Sequence, residues 1–390
     1  MTSSSMPSAP PYFSTRRYFP ALDGLRGLAI LLVILHNADV YGNVSGVLWP
    51  AALLSHAGWT GVELFFVLSG FLITNNLLDT QQAGNYFESF FARRTLRIFP
   101  LYYGTLFVAL IVAPHFVAQD PVIAASRVHQ VWLWTFMANW AEPFGKAVHG
   151  FPHFWSLSVE EQFYLVWPFL LRRRNPPAVW TICATLIVAA FCIRCAMLLI
   201  GAPSEAIYML TVCRMDALAA GAAAAALLRI PAAVSVLHRH SDRLWISGLA
   251  LGAIGAVVTD TYSLYGHGTF TIGYTILSAC FALLVLGAIA APSRINTPYQ
   301  KLLAFAPLRS IGKYSYAMYV FHMLIILSIG PAILAQLKPV TQFYPPLYAL
   351  VITALSYIAA LVSYHCYEKH FLKLKGRFKP RSTLLSGTAA

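Results

Sequence analysis

The sequence has few charged residues, and acidic residues are the scarcest of them. Asp, Glu, Lys and Arg make up 11% of the 390 residues, with 14 acidic against 27 basic side chains. Hydrophobic residues make up 58%, and the mean hydropathy is +0.64. Because soluble domains carry about 25% charged residues, this composition excludes an ordinary soluble protein.

Cysteine is also scarce, and its placement indicates neither disulfides nor metal. All six cysteines lie in or beside apolar runs, where they serve as small hydrophobic side chains. Cys192 and Cys195 have the spacing of a metal knuckle, but no second pair accompanies them, so we predict no metal site. No internal repeat or inverted pair of broken helices is evident in the sequence, which disfavours many secondary transporters.

Long apolar runs are what the sequence has in abundance. Runs of roughly 20 residues, the length that crosses about 30 Å of hydrocarbon, begin near positions 22, 60, 98, 157, 178, 207, 244, 271, 312 and 347. We therefore predict an all-α, polytopic membrane bundle of about ten transmembrane helices. The first twenty residues lack the apolar core and cleavage site of a secretory signal, so the first run is expected to remain as a helix.

Basic residues are distributed unevenly over the predicted connections. If the N-terminus is cytoplasmic, all but six of the 27 basic residues fall on the cytoplasmic side. Those outside are Arg127, Lys146 and Lys338, and those within the spans are Arg26, Arg194 and Arg214. The positive-inside rule then predicts that both termini are cytoplasmic. This distribution explains the net charge of +13 by topology and attraction to anionic membrane lipid, and we expect no nucleic-acid partner.

Composition divides the chain into three segments. Residues 1–20 are polar and rich in Ser and Pro, which predicts a disordered cytoplasmic N-terminus. Residues 21–372 hold the predicted spans, and residues 373–390 form a basic cytoplasmic tail. The longest outer connection, residues 117–155, is rich in Trp and poor in charge, which favours an interfacial or re-entrant helix at the outer leaflet.

The first two runs contain polar residues that cost several kcal/mol each unless they are paired or face water. Arg26 lies near the cytoplasmic face, and His36 lies ten residues later, roughly 15 Å further along a helix. Arg26 either extends to lipid phosphates or has a functional role, and His36 either makes an interhelical hydrogen bond or acts in catalysis. Glu63 needs a cation, a proton or water at its depth. Ser69 and Gly70 are small enough to let a neighbouring backbone or a narrow ligand approach.

A cluster of arginines begins the third predicted helix. Arg94 and Arg97 lie three residues apart on one helical face and can bind one anion together. Because paired guanidinium groups match phosphate oxygens bidentately, we predict that these two hold a phosphate. Arg93 fits a positive-inside anchor better, and it remains a further candidate for the phosphate site.

The stretch "HFWSLSVEEQFYLVWP" places two adjacent carboxylates at the outer end of an apolar run. Ser158 followed by Glu161 fits a capping box, so we expect Glu161 to stabilise the start of the fourth helix. Glu160 then shares a face with Tyr164 and is predicted to point into the bundle. A carboxylate there is expected to orient or charge-balance His36.

Polar residues in the later runs have structural interpretations first. Arg214 and Asp216 are two residues apart, so they point to different sides of a helix and are expected to take separate partners on neighbouring helices. Tyr316 and His322 are interpreted as helix-contact and hydrogen-bonding residues, with a role in lining a site as the alternative.

These stretches together resemble the acyltransferase-3 family of integral-membrane O-acyltransferases, which acylate O-antigen, peptidoglycan or macrolides. Seven motifs, spread over nearly the whole chain, carry the resemblance: LDGLRGLAILLVILH, GVELFFVLSGFLIT, RRTLRIFPLYY, HFWSLSVEEQFYLVWP, CRMDALAAG, IGKYSYAMYVFH and YEKHF. The resemblance implies transfer of an acyl group, with acetyl as the first candidate, from cytoplasmic acyl-CoA. The acceptor would be a hydroxyl of a carbohydrate or glycan on the outer side of a bacterial inner membrane.

The resemblance also implies roles for single residues. Arg94 and Arg97 match the R-x-x-R pair that holds coenzyme A, and Arg26 and His36 match the essential Arg and His of the first helix. The family commonly has ten residues between that Arg and His, whereas nine separate them here. The difference turns His36 by about 100° relative to Arg26 on a regular helix.

In the mechanism that the resemblance implies, the pantetheine arm of CoA passes Ser69 and Gly70 and extends toward His36. His36 acts as the general base on the acceptor hydroxyl, and Glu160, together with Glu63, orients the imidazole. His153, just before the fourth helix, is the second candidate for the base.

A proton-coupled exporter or flippase of a glycan or lipid-linked precursor is the alternative function. Such a carrier would also need a buried His with carboxylates and would also be basic on its cytoplasmic side. It has no evident need for an arginine pair, so acyl-CoA binding that depends on Arg94 and Arg97 distinguishes the two functions.

Overall fold

A computed structural model of the protein describes residues 19–39, 48–116, 125, 127–146, 148–290, 297–341 and 343–381. The predicted N-terminal segment 1–20, including Arg16 and Arg17, lies outside these ranges except for its last two residues. The predicted tail 373–390 is described only as far as Arg381. Its assignment as a separate segment stays a prediction.

The regular structure of the described residues is helical. The first part of the chain forms α1 (Pro20–Ala38), α2 (Trp49–Ala57), α3 (Thr60–Thr80), α4 (Tyr86–Phe107), α5 (Val131–Trp134), α6 (Ala138–Ala141), α7 (Phe154–Leu171), α8 (Pro176–Leu199) and α9 (Ser204–Met209). The second part forms α10 (Thr211–Leu227), α11 (Pro231–Arg239), α12 (Ser241–Val258), α13 (Tyr274–Ala290), α14 (Pro298–Ala304), α15 (Ala306–Ser328), α16 (Gly330–Leu337), α17 (Tyr344–Ser363) and α18 (Lys369–Leu374). Short 3₁₀ or π turns extend several of these helices.

Proline and capping residues mark several helix starts. α1 and α8 begin at Pro20 and Pro176, which suits proline because the first turn of a helix needs no backbone donor. The side chain of Asn175 accepts a hydrogen bond from the backbone N–H of Ala178 (2.9 Å) and so caps α8. These local signals separate the long apolar runs into distinct helices.

Eight helical stretches of the described chain are long and apolar enough to cross a membrane, or nine if α15 and α16 form one bent span. The bend between α15 and α16 is 63°. The predicted span near position 157 corresponds to α7, which is 18 residues long and is not among the eight. The all-helical architecture is therefore confirmed, and the candidate spans support a multi-pass membrane protein. The count of ten stays a prediction.

Glycines allow the central helices to approach closely. Gly70 of α3 faces the backbone carbonyl of Leu218, and Gly221 of α10 faces that of Val67, so neither glycine has room for a Cβ atom. Gly312 makes the equivalent contact from α15 to the backbone of α1. Close backbone contact through small residues is the usual way in which helices associate in a membrane. It holds α1, α3, α10 and α15 together around the interior.

Two fully buried ion pairs connect these helices. Arg214 of α10 pairs with Glu63 of α3, and Asp216 of α10 pairs with Arg194 of α8 at 2.8 Å. The separate partners predicted for Arg214 and Asp216 are therefore confirmed. Arg194 also donates to the carbonyl of Phe270 (2.8 Å), which further reduces the cost of its buried charge.

The capping box predicted for the fourth span is wrong. α7 begins at Phe154, so Ser158 lies inside the helix, where its hydroxyl donates to the carbonyl of Phe154 (3.1 Å). The helix begins earlier because Phe154 and Trp155 are buried in the interior as part of its first turn. Glu161 is consequently a mid-helix residue and does not cap the helix.

The outer connection predicted over residues 117–155 is described only in part, because residues 117–124, 126 and 147 lie outside the described ranges. Its described part includes α5 and α6, which contact α4 and α7. Tyr102 of α4 donates to the carbonyl of Leu133 (2.8 Å), and Gln162 of α7 donates to that of Phe136 (2.9 Å). These contacts fix the connection to the helices that carry the arginines and the paired glutamates. Its predicted interfacial location stays a prediction.

Candidate active site

Two adjoining cavities lie inside the bundle. The first, here called the arginine cavity, lies between α1, α3, α4, α7 and α15 and spans about 760 Å³ of empty space, including space open to solvent. Its charged and polar lining includes Arg26, Ser69, Arg94, Arg97, Glu160, Glu161, Tyr164 and Tyr316. It therefore brings together predicted site residues that come from separate motifs of the sequence.

The predicted position of the arginines at the start of a helix is wrong: α4 begins at Tyr86, whose side chain is buried, so Arg94 and Arg97 lie in the middle of α4. They give the cavity positive charge. The guanidinium group of Arg94 lies over the ring of Tyr164, 5.3 Å from its centroid, and Arg26 is within electrostatic range of both Arg94 and Arg97. In the described chain, no acidic side chain forms an ion pair with Arg94 or Arg97, while Arg26 has Asp23 at 3.9 Å. Arg93 is half-buried and does not line the cavity. The pair can thus accept an anionic ligand.

Glu160 is held by hydroxyl groups of the same cavity. Its Oε1 accepts a hydrogen bond from Ser69 (2.6 Å) and its Oε2 accepts one from Tyr164 (3.0 Å). The direct contact predicted between Glu160 and His36 is not formed, because His36 bonds elsewhere. Glu161 lies beside Glu160, and its buried Oε1 lacks a hydrogen-bond partner among the described residues. A catalytic role for Glu160 stays a prediction.

The second cavity, here called the histidine cavity, spans about 600 Å³ of empty space, including space open to solvent. Its lining includes His36, Asn37, Trp59, Val62, His153, Trp155, Tyr208 and Tyr319. Val62 and Tyr319 line both cavities, so their side chains form the boundary between them. A wall of aromatic and aliphatic side chains with a few polar groups is typical of sites for small organic ligands.

The hydrogen bond of His36 fixes its tautomer. Nδ1 lies 2.9 Å from the carbonyl oxygen of Ser55, and a carbonyl can only accept, so Nδ1 carries the proton and Nε2 holds a lone pair. The Ser55 hydroxyl in turn donates to the carbonyl of Leu35 (3.0 Å), which ties α2 to α1. A neutral imidazole oriented by a backbone carbonyl is suited to general-base chemistry at Nε2.

The spacing between Arg26 and His36 places them on different cavities. α1 is one regular helix from Pro20 to Ala38, and Arg26 lines the arginine cavity while His36 lines the histidine cavity. The two residues therefore act at separate points along α1 without a direct pairing.

Two further histidines lie at the histidine cavity or directly behind it. His322 Nδ1 donates to the carbonyl of Tyr319 (2.7 Å), so its Nε2 accepts a hydrogen bond from Asn37 Nδ2 (3.1 Å). His153 Nε2 donates to the carbonyl of Val320 (3.3 Å), which leaves its buried Nδ1 unpartnered among the described residues. The rings of His153 and His322 lie 4.9 Å apart. His322 thus has the hydrogen-bonding role expected of it, and His153 offers a second lone pair.

The remaining predicted residues have structural contacts. Tyr316 donates to the carbonyl of Ile98 (2.9 Å). Neither Glu63 nor Arg214 lines either cavity, and the guanidinium of Arg214 lies 4.0 Å from the centroid of the Tyr274 ring. The buried cation required by Glu63 is therefore Arg214, which leaves Glu63 without a contact to His36. Gly70 serves the α3–α10 contact described above.

Sequence reasoning missed several residues of the histidine cavity. Asn37 directly follows His36, but an amide in an apolar run gives no sign of its partner. Trp59, Trp155 and Tyr208 lie near helix ends, where aromatic residues are common in membrane proteins as interfacial anchors. Only the fold shows that they form one wall.

Comparison with known proteins finds bacterial relatives over most of the chain. The chain is 29% identical over 335 residues to the peptidoglycan O-acetyltransferase OatA of Listeria monocytogenes, covering 82% of this chain and 51% of that protein. It is 29% identical over 368 residues to the O-acetyltransferase OatA of Staphylococcus aureus, covering 90% of this chain and 57% of that protein. The chain thus spans little more than half the length of these relatives. No solved structure matches it.

The family profile covers most of the chain. Residues 19–365 match the profile of the acyltransferase-3 family, which is described as an acyltransferase domain. This stretch contains every side chain named above as lining the two cavities. The protein therefore belongs to the acyltransferase-3 family of acyltransferases.

Proposed function

We propose that the protein is a membrane O-acetyltransferase that moves an acetyl group from cytoplasmic acetyl-CoA to a hydroxyl of a glycan acceptor reached from the other side of the membrane. One observation carries the proposal: two cavities of different chemistry meet at Val62 and Tyr319. The arginine cavity offers cations to an anionic donor. The histidine cavity offers a base and aromatic faces, on which a sugar ring can stack.

A glycan acceptor is supported by analogy. The Listeria relative is named a peptidoglycan O-acetyltransferase. Because a shared fold does not by itself imply a shared substrate, the acceptor must also be argued from the residues of the site. In this chain the aromatic wall of Trp59, Trp155 and Tyr208 is the surface that suits a carbohydrate.

The orientation follows from the basic residues. With ten spans and both termini in the cytoplasm of a bacterium, α4 begins at the cytoplasmic face of the inner membrane. The arginine cavity, which is lined by the middle of α4, then opens toward cytoplasmic acyl-CoA. The pantetheine arm then extends from Arg94 and Arg97 along Ser69 toward the boundary formed by Val62 and Tyr319. The thioester meets the acceptor there.

His36 moves the proton in this mechanism. The acceptor hydroxyl gives its proton to His36 Nε2 as its oxygen attacks the thioester carbonyl carbon. The imidazolium keeps its Nδ1 hydrogen bond to the Ser55 carbonyl, which stabilises the positive charge. When the tetrahedral intermediate collapses, the C–S bond breaks, and the CoA thiolate takes the proton back from Nε2. The products are the O-acetyl ester, CoA and neutral His36.

The Arg94→Ala/Arg97→Ala double variant tests the donor site. We expect the affinity for acetyl-CoA to fall at least about tenfold, since each lost charge-assisted hydrogen bond is worth about 1.5–3 kcal/mol. Folding should be retained because Arg94 and Arg97 line the arginine cavity, where water can fill the space that the shorter side chains leave. Isothermal titration with purified protein in lipid nanodiscs measures the affinity.

Arg174→Ala is the matched control, because Arg174 is an exposed cation on the connection after α7. Its acetyl-CoA affinity should equal that of the wild type. Unchanged binding in the double variant would remove the arginine pair from the donor site, and a wild-type protein that binds no acetyl-CoA would favour the exporter function.

A further inference from the structure

The C-terminal segment of the described chain runs along α4 in the opposite direction. We call residues 364–381 the C-terminal strap. At one end, Tyr367 donates to the carbonyl of Pro100 (3.2 Å). At the other, Ser89 donates to the carbonyl of Phe378 (3.0 Å), and the side chain of Asn85 holds the backbone beyond it. The strap is thus fixed to α4 at both ends.

The register of these contacts places Lys375 beside the arginine cluster. Ser89 and Pro100 are as far apart in sequence as Tyr367 and Phe378, so α4 and the strap keep the same antiparallel register at both contacts. Lys375 therefore lies opposite residue 92, next to Arg93. Its ammonium group is within electrostatic range of three arginines of α4, which are Arg97, Arg94 and Arg93.

Lys375 is more buried than most cations of the strap. It is half-buried, as is Lys369, whereas Lys373, Arg377 and Lys379 are exposed. Among the described residues, no acidic side chain forms an ion pair with Lys375 or with the three arginines. Glu368 is within electrostatic range of Arg97, but its carboxylate accepts a hydrogen bond from Ser363 (2.9 Å) within the strap.

Four like charges at one partly buried place repel one another, and an anion bound between them removes that cost. Arg94 and Arg97 line the arginine cavity, while Arg93 and Lys375 do not. The cluster therefore offers two positions for negative charge, one at the cavity and one between α4 and the strap. A ligand with separated phosphate groups fits this division.

We propose that Lys375, together with Arg93, binds a second phosphate of the donor, outside the pair of phosphates held by Arg94 and Arg97. The inference rests on the proposed function, because CoA carries both a diphosphate and a separate 3′-phosphate. The diphosphate lies at the cavity, and the 3′-phosphate lies between Arg93 and Lys375. The C-terminal strap thereby selects CoA over donors that lack the 3′-phosphate.

Binding of CoA and of 3′-dephospho-CoA tests this assignment in the full-length protein. In nanodiscs of phosphatidylcholine alone, the wild type should bind CoA about tenfold more tightly than 3′-dephospho-CoA, which corresponds to about 1.4 kcal/mol. Lys375→Gln should lose that preference by weakening CoA binding only. Lys375→Arg should restore it, and the exposed Lys373→Gln should behave as the wild type.

Three results would overturn the inference. The first is equal affinity of the wild type for the two ligands, which needs no variant and so does not depend on the folding of Lys375→Gln. The second is an unchanged preference in Lys375→Gln. The third is an effect of this substitution only in nanodiscs with phosphatidylglycerol, which would assign Lys375 to lipid headgroups. If CoA binding is lost in Arg94→Ala/Arg97→Ala but unchanged in Lys375→Gln, the proposed function stands and this inference falls.

Discussion

Hydrogen bonds donated to backbone carbonyls determine what each histidine near the site can do. His36, His153 and His322 each use one ring nitrogen to donate to a main-chain oxygen. The other ring nitrogen of His322 accepts a hydrogen bond from Asn37, so His322 has no lone pair left to take a proton from the acceptor hydroxyl. His36 and His153 keep theirs, and both line the histidine cavity. In the proposed function, these two are therefore the candidates for the base.

The two adjacent glutamates differ in their partners. Glu160→Gln puts an amide where a carboxylate accepts from Ser69 and Tyr164, so one hydroxyl donor faces an N–H group. We expect at least about a tenfold loss of transfer, since a buried donor left unsatisfied costs about 1–3 kcal/mol. Acetyl-transfer assays with purified protein measure the loss.

Glu161→Gln is the matched control. Its buried oxygen has no hydrogen-bond partner to lose among the described residues, and the amide removes a charge from an enclosed place. Transfer should be retained, and the thermal unfolding midpoint should not fall. If Glu161→Gln is inactive and Glu160→Gln is active, the roles of the two residues are reversed.

At the scale of helices, apolar length predicted more than local motifs did. The runs that begin near 22, 60 and 178 correspond to α1, α3 and α8, because the need to cross hydrocarbon sets the length of an apolar segment. The capping box at Ser158 failed because the same pattern also occurs inside helices, and the burial of earlier aromatic residues extends α7. A sequence cannot show such burial.

The sequence also could not show which residues pair with one another across helices. The run of Glu63 required a cation, but many arginines were available, and only the approach of α3 to α10 selects Arg214. The sequence did indicate that Arg94, Arg97 and Glu160 are site residues, because the two arginines share one helical face and Glu160 is predicted on a face that points into the bundle. It did not indicate the boundary formed by Val62 and Tyr319, since these residues look like ordinary helix contacts.

Gly70→Ala tests whether this glycine serves helix contact or the donor. A Cβ atom there would meet the backbone of Leu218 on α10, so we expect a loss of about 1–3 kcal/mol in unfolding free energy. The affinity of the folded protein for acetyl-CoA should be unchanged. Unfolding in detergent and nanodisc titration measure the two quantities.

Gly376→Ala is the control, because no atom lies within 4 Å of its added Cβ. It should leave stability nearly unchanged. A Gly70→Ala protein of normal stability but weaker acetyl-CoA binding would place Gly70 beside the pantetheine arm.

At the scale of the molecule, the proposed function uses the two adjoining cavities to let donor and acceptor remain on opposite sides of the membrane. Neither substrate then has to cross the bilayer, and only the acetyl group does. The arrangement requires α4 to begin on the cytoplasmic side, so that the arginine cavity at the middle of this helix is open to the cytoplasm. The orientation of the whole bundle is therefore part of the mechanism.

Reporter fusions measure this orientation. Green fluorescent protein fused after Ala390 should fluoresce, and alkaline phosphatase at the same position should be inactive, because the C-terminus is predicted to be cytoplasmic. The same reporters inserted after Lys146, in the predicted outer connection, should give the opposite pattern. Active phosphatase at the C-terminus would show that the bundle has the opposite orientation, with the arginine pair away from cytoplasmic acyl-CoA.

The central claim is that His36 is the base that works where the two cavities meet, and transfer measured together with donor binding in His36→Ala tests it most directly. The account predicts a loss of acetyl transfer of about 10²–10⁴-fold with acetyl-CoA affinity unchanged, and an active His153→Ala protein measured in parallel. A His36→Ala protein that still transfers acetyl groups would contradict the account, and an inactive His153→Ala protein beside it would move the base to His153.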